Sequence, residues 1–282
     1  MKYCAFLFVL AVTAFGWVDD DGCDSSIPFG TAPTGNDAIV LSVVNTFQVA
    51  SADQMLGLDT QSSNQISLVD NQSGLVRAVQ TGSGNPVWTI PNPGCNLFGC
   101  CHSMPAPYGW YANSFANSNM HYYSGSWSIA FADPAGQNSR GMDYWNDQNY
   151  IWETCSSGSN HHLYRIDETG NYIWFDVSTS IPGQMSGLAV FPYGSNLGIF
   201  VTCYDTQDWF LFEYDGSSLQ YKGSGNLGMT SFSKSYGLTY NPEIDKFFWS
   251  YVVYGTLEWI AEVEFSETSL EQATWGSIKT QF

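Results

Sequence analysis

The stretch LYRIDETGNYIWFDV, residues 163–177, reads as an apolar run, a turn built on Asp167, Glu168, Thr169 and Gly170, and a second apolar run. β-branched and aromatic residues on either side of a Gly-containing turn predict an antiparallel hairpin. The fold depends on whether this hairpin stands alone or recurs. Similar strings, an apolar residue followed by Asp and a Gly/Ser turn, lie around Asp70 (SLVDNQSG), Asp133 (AFADPAG) and Asp215 (FEYDGSS), and VEFSETS carries Ser266 in the Asp place. The steps between them are 63, 34, 48 and 51 residues, regular in the second half and distorted in the first.

A second signature precedes the later turns: SRGMDY, MSGLAV and SYGLTY, whose Gly141, Gly187 and Gly237 are spaced 46 and 50 apart. Each is followed by a turn (WNDQ, PYGSN, NPEID), then by an aromatic or β-branched run (YIWETC, GIFVTCY, FFWSYVVY), then by further strand-like runs. Aligning ADQMLGLDTQSSNQISLVDNQSG with residues 146–170 places an earlier, degenerate copy at residues 52–74. Four short strands in a unit of about 40–50 residues predict an all-β fold, a single β-propeller. Blades stacked in a ring bury one another's faces and leave few open edges. The expectation is five to seven four-stranded blades, six slightly favoured over the others, with DAIVLSVVNTF (residues 37–47) closing the ring against the C-terminal strands.

At SRGMDY, MSGLAV, SYGLTY and the Asp turns the chain resembles exported bacterial propeller-repeat proteins of the NHL or YVTN kind, over residues 40–282. It lacks the Trp-Asp ending of WD40 blades, and ATWGS (residues 273–277) is only a fragment of a sialidase box. The resemblance implies the propeller and says little of activity, because such folds host many functions.

Composition sets further limits. The 282 residues carry 26 acidic and 8 basic side chains, a formal charge of −18. Binding a nucleic acid or an anionic membrane surface relies on clustered Lys and Arg, and no segment after the first 16 residues has the ~18 uninterrupted apolar residues of a membrane-spanning helix, so neither a nucleic acid nor membrane insertion is expected. Lys2, the apolar run 3–15, and Ala14-Phe15-Gly16 read as a signal peptide (residues 1–16) cleaved after Gly16, which implies an exported, extracytoplasmic chain. Residues 17–36 then form an acidic N-terminal segment, and residues 37–282 the propeller. Asp19, Asp20, Asp21 and Asp24 lack the spacing of a calcium-binding hand and read as a solvated tail. Asn71-Gln72-Ser73 matches a glycosylation sequon. Six cysteines remain after the signal (Cys23, Cys95, Cys100, Cys101, Cys155, Cys203), and an even count in an exported chain predicts disulfides, with a metal site at Cys95, Cys100, Cys101 and His102 as the rival.

In a propeller the innermost strands line a central channel. If the Gly strands are innermost, Arg140, Ser186 and Tyr236 form part of a ring before the glycines, and Asp143, Ala189 and Thr239 another beyond them. One Asp among six is thin material for a metal or an acid–base pair. Adjacent His161 and His162 point to opposite sides of any strand and so do not share an ion there. The segment at residues 107–127, with Trp110, Tyr111, Tyr122 and Tyr123, mixes rings and amides in a way that suits sugars or a protein surface. The leading expectation is therefore a non-catalytic binding or surface-assembly module, with a protein or glycan partner or a copy of itself and no cofactor, calcium being the one candidate ion. The alternative is a metal-dependent hydrolase or lyase at the channel mouth, with Asp143, Arg140 and His102 as participants.

Overall fold

The computed structural model describes residues 37–103, 109–145, 148–253 and 257–269. The expected signal peptide, the acidic segment with Cys23, and ATWGS lie outside the described residues.

The repeat closes into five blades, each an antiparallel sheet of four strands. In chain order, β1 (Asp37–Gln48) comes first and joins the last blade. Blade 1 contains β2 (Met55–Ser62), β3 (Gln65–Asp70), β4 (Leu75–Gln80) and β5 (Pro86–Pro91), and blade 2 contains β6 (Cys100–His102), β7 (Trp110–Ala112), β8 (Asn119–Tyr123) and β9 (Trp127–Ala132). Blade 3 contains β10 (Ser139–Trp145), β11 (Tyr150–Ser157), β12 (Asn160–Asp167) and β13 (Tyr172–Asp176). Blade 4 contains β14 (Met185–Tyr193), β15 (Asn196–Cys203), β16 (Asp208–Tyr214) and β17 (Leu219–Asn226). Blade 5 contains β18 (Lys234–Asn241), β19 (Lys246–Val253) and β20 (Leu257–Ser269), and takes β1 as its outer strand, so the beginning of the described chain clasps its end. The clasp runs from Asp37 opposite Ser269 to Gln48 opposite Trp259.

Five glycines set how closely the ring can draw together. A Cβ on Gly57 would lie 2.6 Å from the Phe98 carbonyl oxygen, one on Gly99 2.6 Å from that of Arg140, and one on Gly141 2.4 Å from that of Ser186. A Cβ on Gly187 would meet the Leu238 nitrogen at 2.7 Å, and one on Gly237 the Leu58 nitrogen at 2.6 Å, which returns the circle to blade 1. These glycines are required by the approach of one inner strand to the next. In four blades the inner strand bulges at the same place, between Met55 and Leu58, Ser139 and Met142, Met185 and Leu188, and Ser235 and Leu238. The polar groups freed by a bulge need partners. Buried residues supply them in blades 3 to 5: Thr154 Oγ1 donates to the Gly141 carbonyl, Thr202 Oγ1 accepts the Gly187 N–H, and Ser250 Oγ accepts the Gly237 N–H, while at the start of blade 2 Asn113 Oδ1 accepts the Gly99 N–H.

The core is distributed over the blade interfaces. Separate apolar clusters fill the contacts between blades 3 and 4, 4 and 5, 5 and 1, 1 and 2, and 2 and 3. Trp110, Trp152 and Trp249 lie on the second strands of their blades and are fully buried.

The count of five lies within the expected five to seven, and residues 37–48 close the ring against the C-terminal strand as expected. Three expectations are corrected. The Asp turns are not one repeated feature. Asp167 and Asp215 begin turns between third and outer strands, where they accept N–H and O–H groups from Thr169 and Asn171 or from Ser217 and Ser218. Asp70 ends a second strand, Asp133 follows an outer strand, and Ser266 lies within β20. The early copy lies one strand out of the expected alignment, since β2 is an inner strand and β11, its match, a second strand. The expected disulfides are not found among the described residues: Cys95, Cys100, Cys101 and Cys155 are free thiols. Cys100 and Cys101 are successive residues of β6, which sends their side chains to opposite faces, and both are buried.

Candidate active site at the channel mouth

Beyond the glycine ring the five inner strands run toward one end of the channel. There the residues two places after the glycines are Asp59, Cys101, Asp143, Ala189 and Thr239, and the next are Thr60, His102, Tyr144, Val190 and Tyr240. All five strands contribute to a cavity of about 410 Å³ lined by Asp59, Thr60, His102, Asp143, Tyr144 and Trp145 on one side. Val190, Pro192, Tyr240, Asn241 and Glu243 line the other.

The polar floor is made by three side chains. Asp59 is buried on β2, and its Oδ2 pairs with Nδ1 of His102 on β6. Burial works against a charged imidazole, but the Asp59 charge and hydrogen bond outweigh it and lift the His102 pKa above its ordinary value. Burial also raises Asp59, with His102 opposing. Asp143, buried on β10, accepts N–H groups from Tyr144 (2.8 Å, to Oδ1) and Val190 (2.7 Å, to Oδ2). Burial and the neighbouring Asp59 charge nevertheless push its pKa up to about 8. The floor therefore sets a carboxyl of raised proton affinity beside the Asp59–His102 pair. Two acids and an imidazole with separated proton affinities are the equipment of general acid–base chemistry.

At the rim the phenol of Tyr144 donates to Glu168 Oε1 (2.7 Å), and that of Tyr240 to Asp245 Oδ1 (2.9 Å). Glu243 Oε2 accepts the Ser63 N–H at 2.6 Å. Among the described residues, no group of three or more His, Cys, Asp or Glu is arranged to hold a metal ion. His102 is tied to Asp59, and the oxygens of Asp143 are turned to backbone N–H groups.

The sequence-predicted residues are scattered. His102 and Asp143 meet in the cavity, while Arg140 lies on the other side of the glycine ring. There its Nη1 donates to the Ser139 and Gln137 carbonyls, and its guanidinium sits over the Phe98 ring at 5.4 Å. Ser186 is buried, with its Oγ 3.0 Å from Thr202 Oγ1, and Tyr236 is buried against Tyr204. Trp110 packs against Trp88 and the His102 ring and is fully buried, and Tyr111 is nearly so. Tyr122 and Tyr123 are half-buried, the latter against Trp127. His161 and His162 do take opposite sides of β12: His161 is buried 3.0 Å from Ser156 Oγ, and His162 lies against Trp174. The sequence reading missed Asp59. The signal was present, since stepping back 42 residues twice from Gly141 reaches Gly99 and Gly57 and brings Asp59 into register with Asp143.

No protein-family model matches the chain, and no curated protein matches it in sequence. Among solved structures, the glutaminyl cyclase of Myxococcus xanthus is similar in fold, with a TM-score of 0.59 at 14% identity, over 82% of this chain and 98% of that one. The PQQ-bound aldose sugar dehydrogenase of Streptomyces coelicolor has a TM-score of 0.51 at 12% identity, over 83% and 100%. A nidogen/laminin complex has 0.51 at 11%, over 71% and 73%. At such identities the likeness is one of architecture, and it agrees with the class that the strands define, an all-β five-bladed propeller.

Proposed function

We propose that this propeller binds a small polar molecule at the channel mouth and acts on it by proton transfer. His102, oriented by Asp59, serves as the base, and Asp143 donates a proton from the same floor. The observation that carries this reading is the Asp59–His102 pair beside buried Asp143, all three lining one cavity. The reaction class that suits it is hydrolysis, elimination or cyclisation, in which one proton is removed as another is delivered. That one fold neighbour is named a cyclase and another a dehydrogenase fits a propeller that houses chemistry, without assigning either reaction here. Export through residues 1–16 and the NHL/YVTN likeness belong to the same proposal.

The test is a turnover screen of small polar metabolites, followed by mass spectrometry, on the wild-type chain and on His102→Asn and Asp143→Asn. Conversion by the wild type that falls at least about 100-fold in each variant is expected for loss of one acid–base partner. Equal conversion by wild type and both variants would overturn the assignment.

A second reading, the binding or assembly module, is favoured by the outer strands. Tyr172, Ile173 and Trp174 on β13 are 52%, 40% and 52% exposed, and Ile129 on β9 is 60% exposed. Apolar side chains at an outer sheet edge suit a protein or glycan partner. Light scattering on the wild type and on Trp174→Ser with Ile129→Ser tests it: a concentration-dependent assembly lost in the double variant supports it, and a monomer throughout rejects self-assembly.

A further inference from the structure

The cavity also has a charge preference. Asp59 is paired with His102, and burial beside Asp59 raises the proton affinity of Asp143, so negative charge on the floor is reduced. Free negative charge is concentrated at the rim, where Glu243 lines the cavity and Glu168 and Asp245 receive the phenols of Tyr144 and Tyr240. Among the described lining residues there is neither Lys nor Arg. The two phenol hydroxyls are committed to those carboxylates, which fixes the rings of Tyr144 and Tyr240 at the walls, with Trp145 beside them.

Carboxylates behind aromatic walls recognise a cation twice. The ring faces attract positive charge through their quadrupoles, and the carboxylates lower the potential over the whole opening. A volume of about 410 Å³ suits an organic group of a few heavy atoms. We infer that the molecule bound here carries a compact organic ammonium group, seated between the Tyr144, Trp145 and Tyr240 side chains and facing Glu243, with its reacting bond directed to the floor. This deepens the proposed acid–base function and rests on it for the placing of the reacting bond.

Three probes of nearly the same shape separate charge from bulk: tert-butylammonium, neutral tert-butanol and anionic pivalate. Thermal shift and calorimetry on the full chain at fixed ionic strength should show saturable binding of tert-butylammonium, with no binding of the other two at equal concentration. Glu168, Glu243 and Asp245 are exposed, so the triple variant Glu168→Gln, Glu243→Gln, Asp245→Asn retains the packed core. Its affinity for tert-butylammonium should fall about tenfold, as expected for three partly screened charges. Equal binding of tert-butanol, a preference for pivalate, or unchanged cation affinity in the triple variant would each overturn the inference. Proton titration of His102 keeps the two levels apart. If His102 titrates as an Asp59-coupled group while the cation fails to bind, the ammonium assignment falls and the acid–base site stands. If the cation binds while His102 titrates independently of Asp59, the acid–base reading falls and the cation site stands.

Discussion

Replacing Gly141 by Ala tests the geometry that brings five strands to one cavity. The added Cβ would lie 2.4 Å from the Ser186 carbonyl oxygen and 2.7 Å from the Gly187 carbonyl carbon, where ordinary contact begins at 3.4 Å. The neighbouring strand must therefore retreat by about 1 Å, a distance set by van der Waals contact. Because the obstacle is backbone in a closed ring, no side-chain rotation relieves it. Inserted volume in packed interiors destabilises by about 1–3 kcal/mol, and this site belongs at the upper end. At about 2–4 °C per kcal/mol for a chain of this size, the melting temperature should fall by roughly 6–12 °C. Gly158→Ala is the control. It lies at φ +58° with nothing within 4 Å of an added Cβ, so it bears left-handed backbone strain alone. That strain is about 1 kcal/mol, a fall of roughly 2–4 °C. Scanning calorimetry on both variants decides the matter. If Gly141→Ala melts no lower than Gly158→Ala, the inner strands are not held at the distance described and the ring argument fails.

Other outcomes follow from the same structure. Asp143 takes its proton more tightly when folded, with a pKa near 8 against an ordinary 3.8, and Glu258 behaves alike, with a pKa near 7 against 4.5. Stability tied to these two groups is therefore complete below the unfolded values and is lost as pH rises toward 7 and 8. Denaturant melts at pH 5 and pH 8 should show the wild type weaker at pH 8, and Asp143→Asn should reduce that difference. Removing residues 1–48 strips β1 from β20, and should yield a chain that aggregates or melts well below the wild type by light scattering and calorimetry, because the long outward edge of β20 is left unpaired. Trp152→Ala empties the interface between blades 3 and 4, where its ring stacks with Phe175 and meets Tyr214 edge-on. It should destabilise by about 3–5 kcal/mol in urea titration.

Much of the architecture is legible in the sequence because one geometric demand recurs. Gly141, Gly187 and Gly237 stand in similar strings, since each inner strand meets its neighbour at the same height, and the clasp by residues 37–47 follows from their β-branched run. Gly57 and Gly99 stand in MLGLDT and FGCCHS, where the flanking residues differ, so spacing alone marks them. The Asp turns misled because Asp begins any tight turn whose N–H groups need an acceptor, whichever strands it joins. The disulfide expectation rested on cysteine number, whereas the burial of Cys100 and Cys101 on opposite faces of β6 emerges only from the strand register. The site was half visible: Asp143 and His102 were named, but Arg140 was grouped with them although it lies across the glycine ring, and Asp59 required the first blade to be placed correctly.

The most direct test of the channel-mouth site is the titration of His102 by NMR, assigned with His102→Asn, in the wild type and in Asp59→Asn. The structure predicts a pKa above the ordinary imidazole value in the wild type, where the Asp59 charge outweighs burial. In Asp59→Asn it predicts a value below the ordinary one, where burial acts with little to oppose it. The same pKa in both proteins would mean that Asp59 and His102 do not act as a pair, and would contradict the acid–base site.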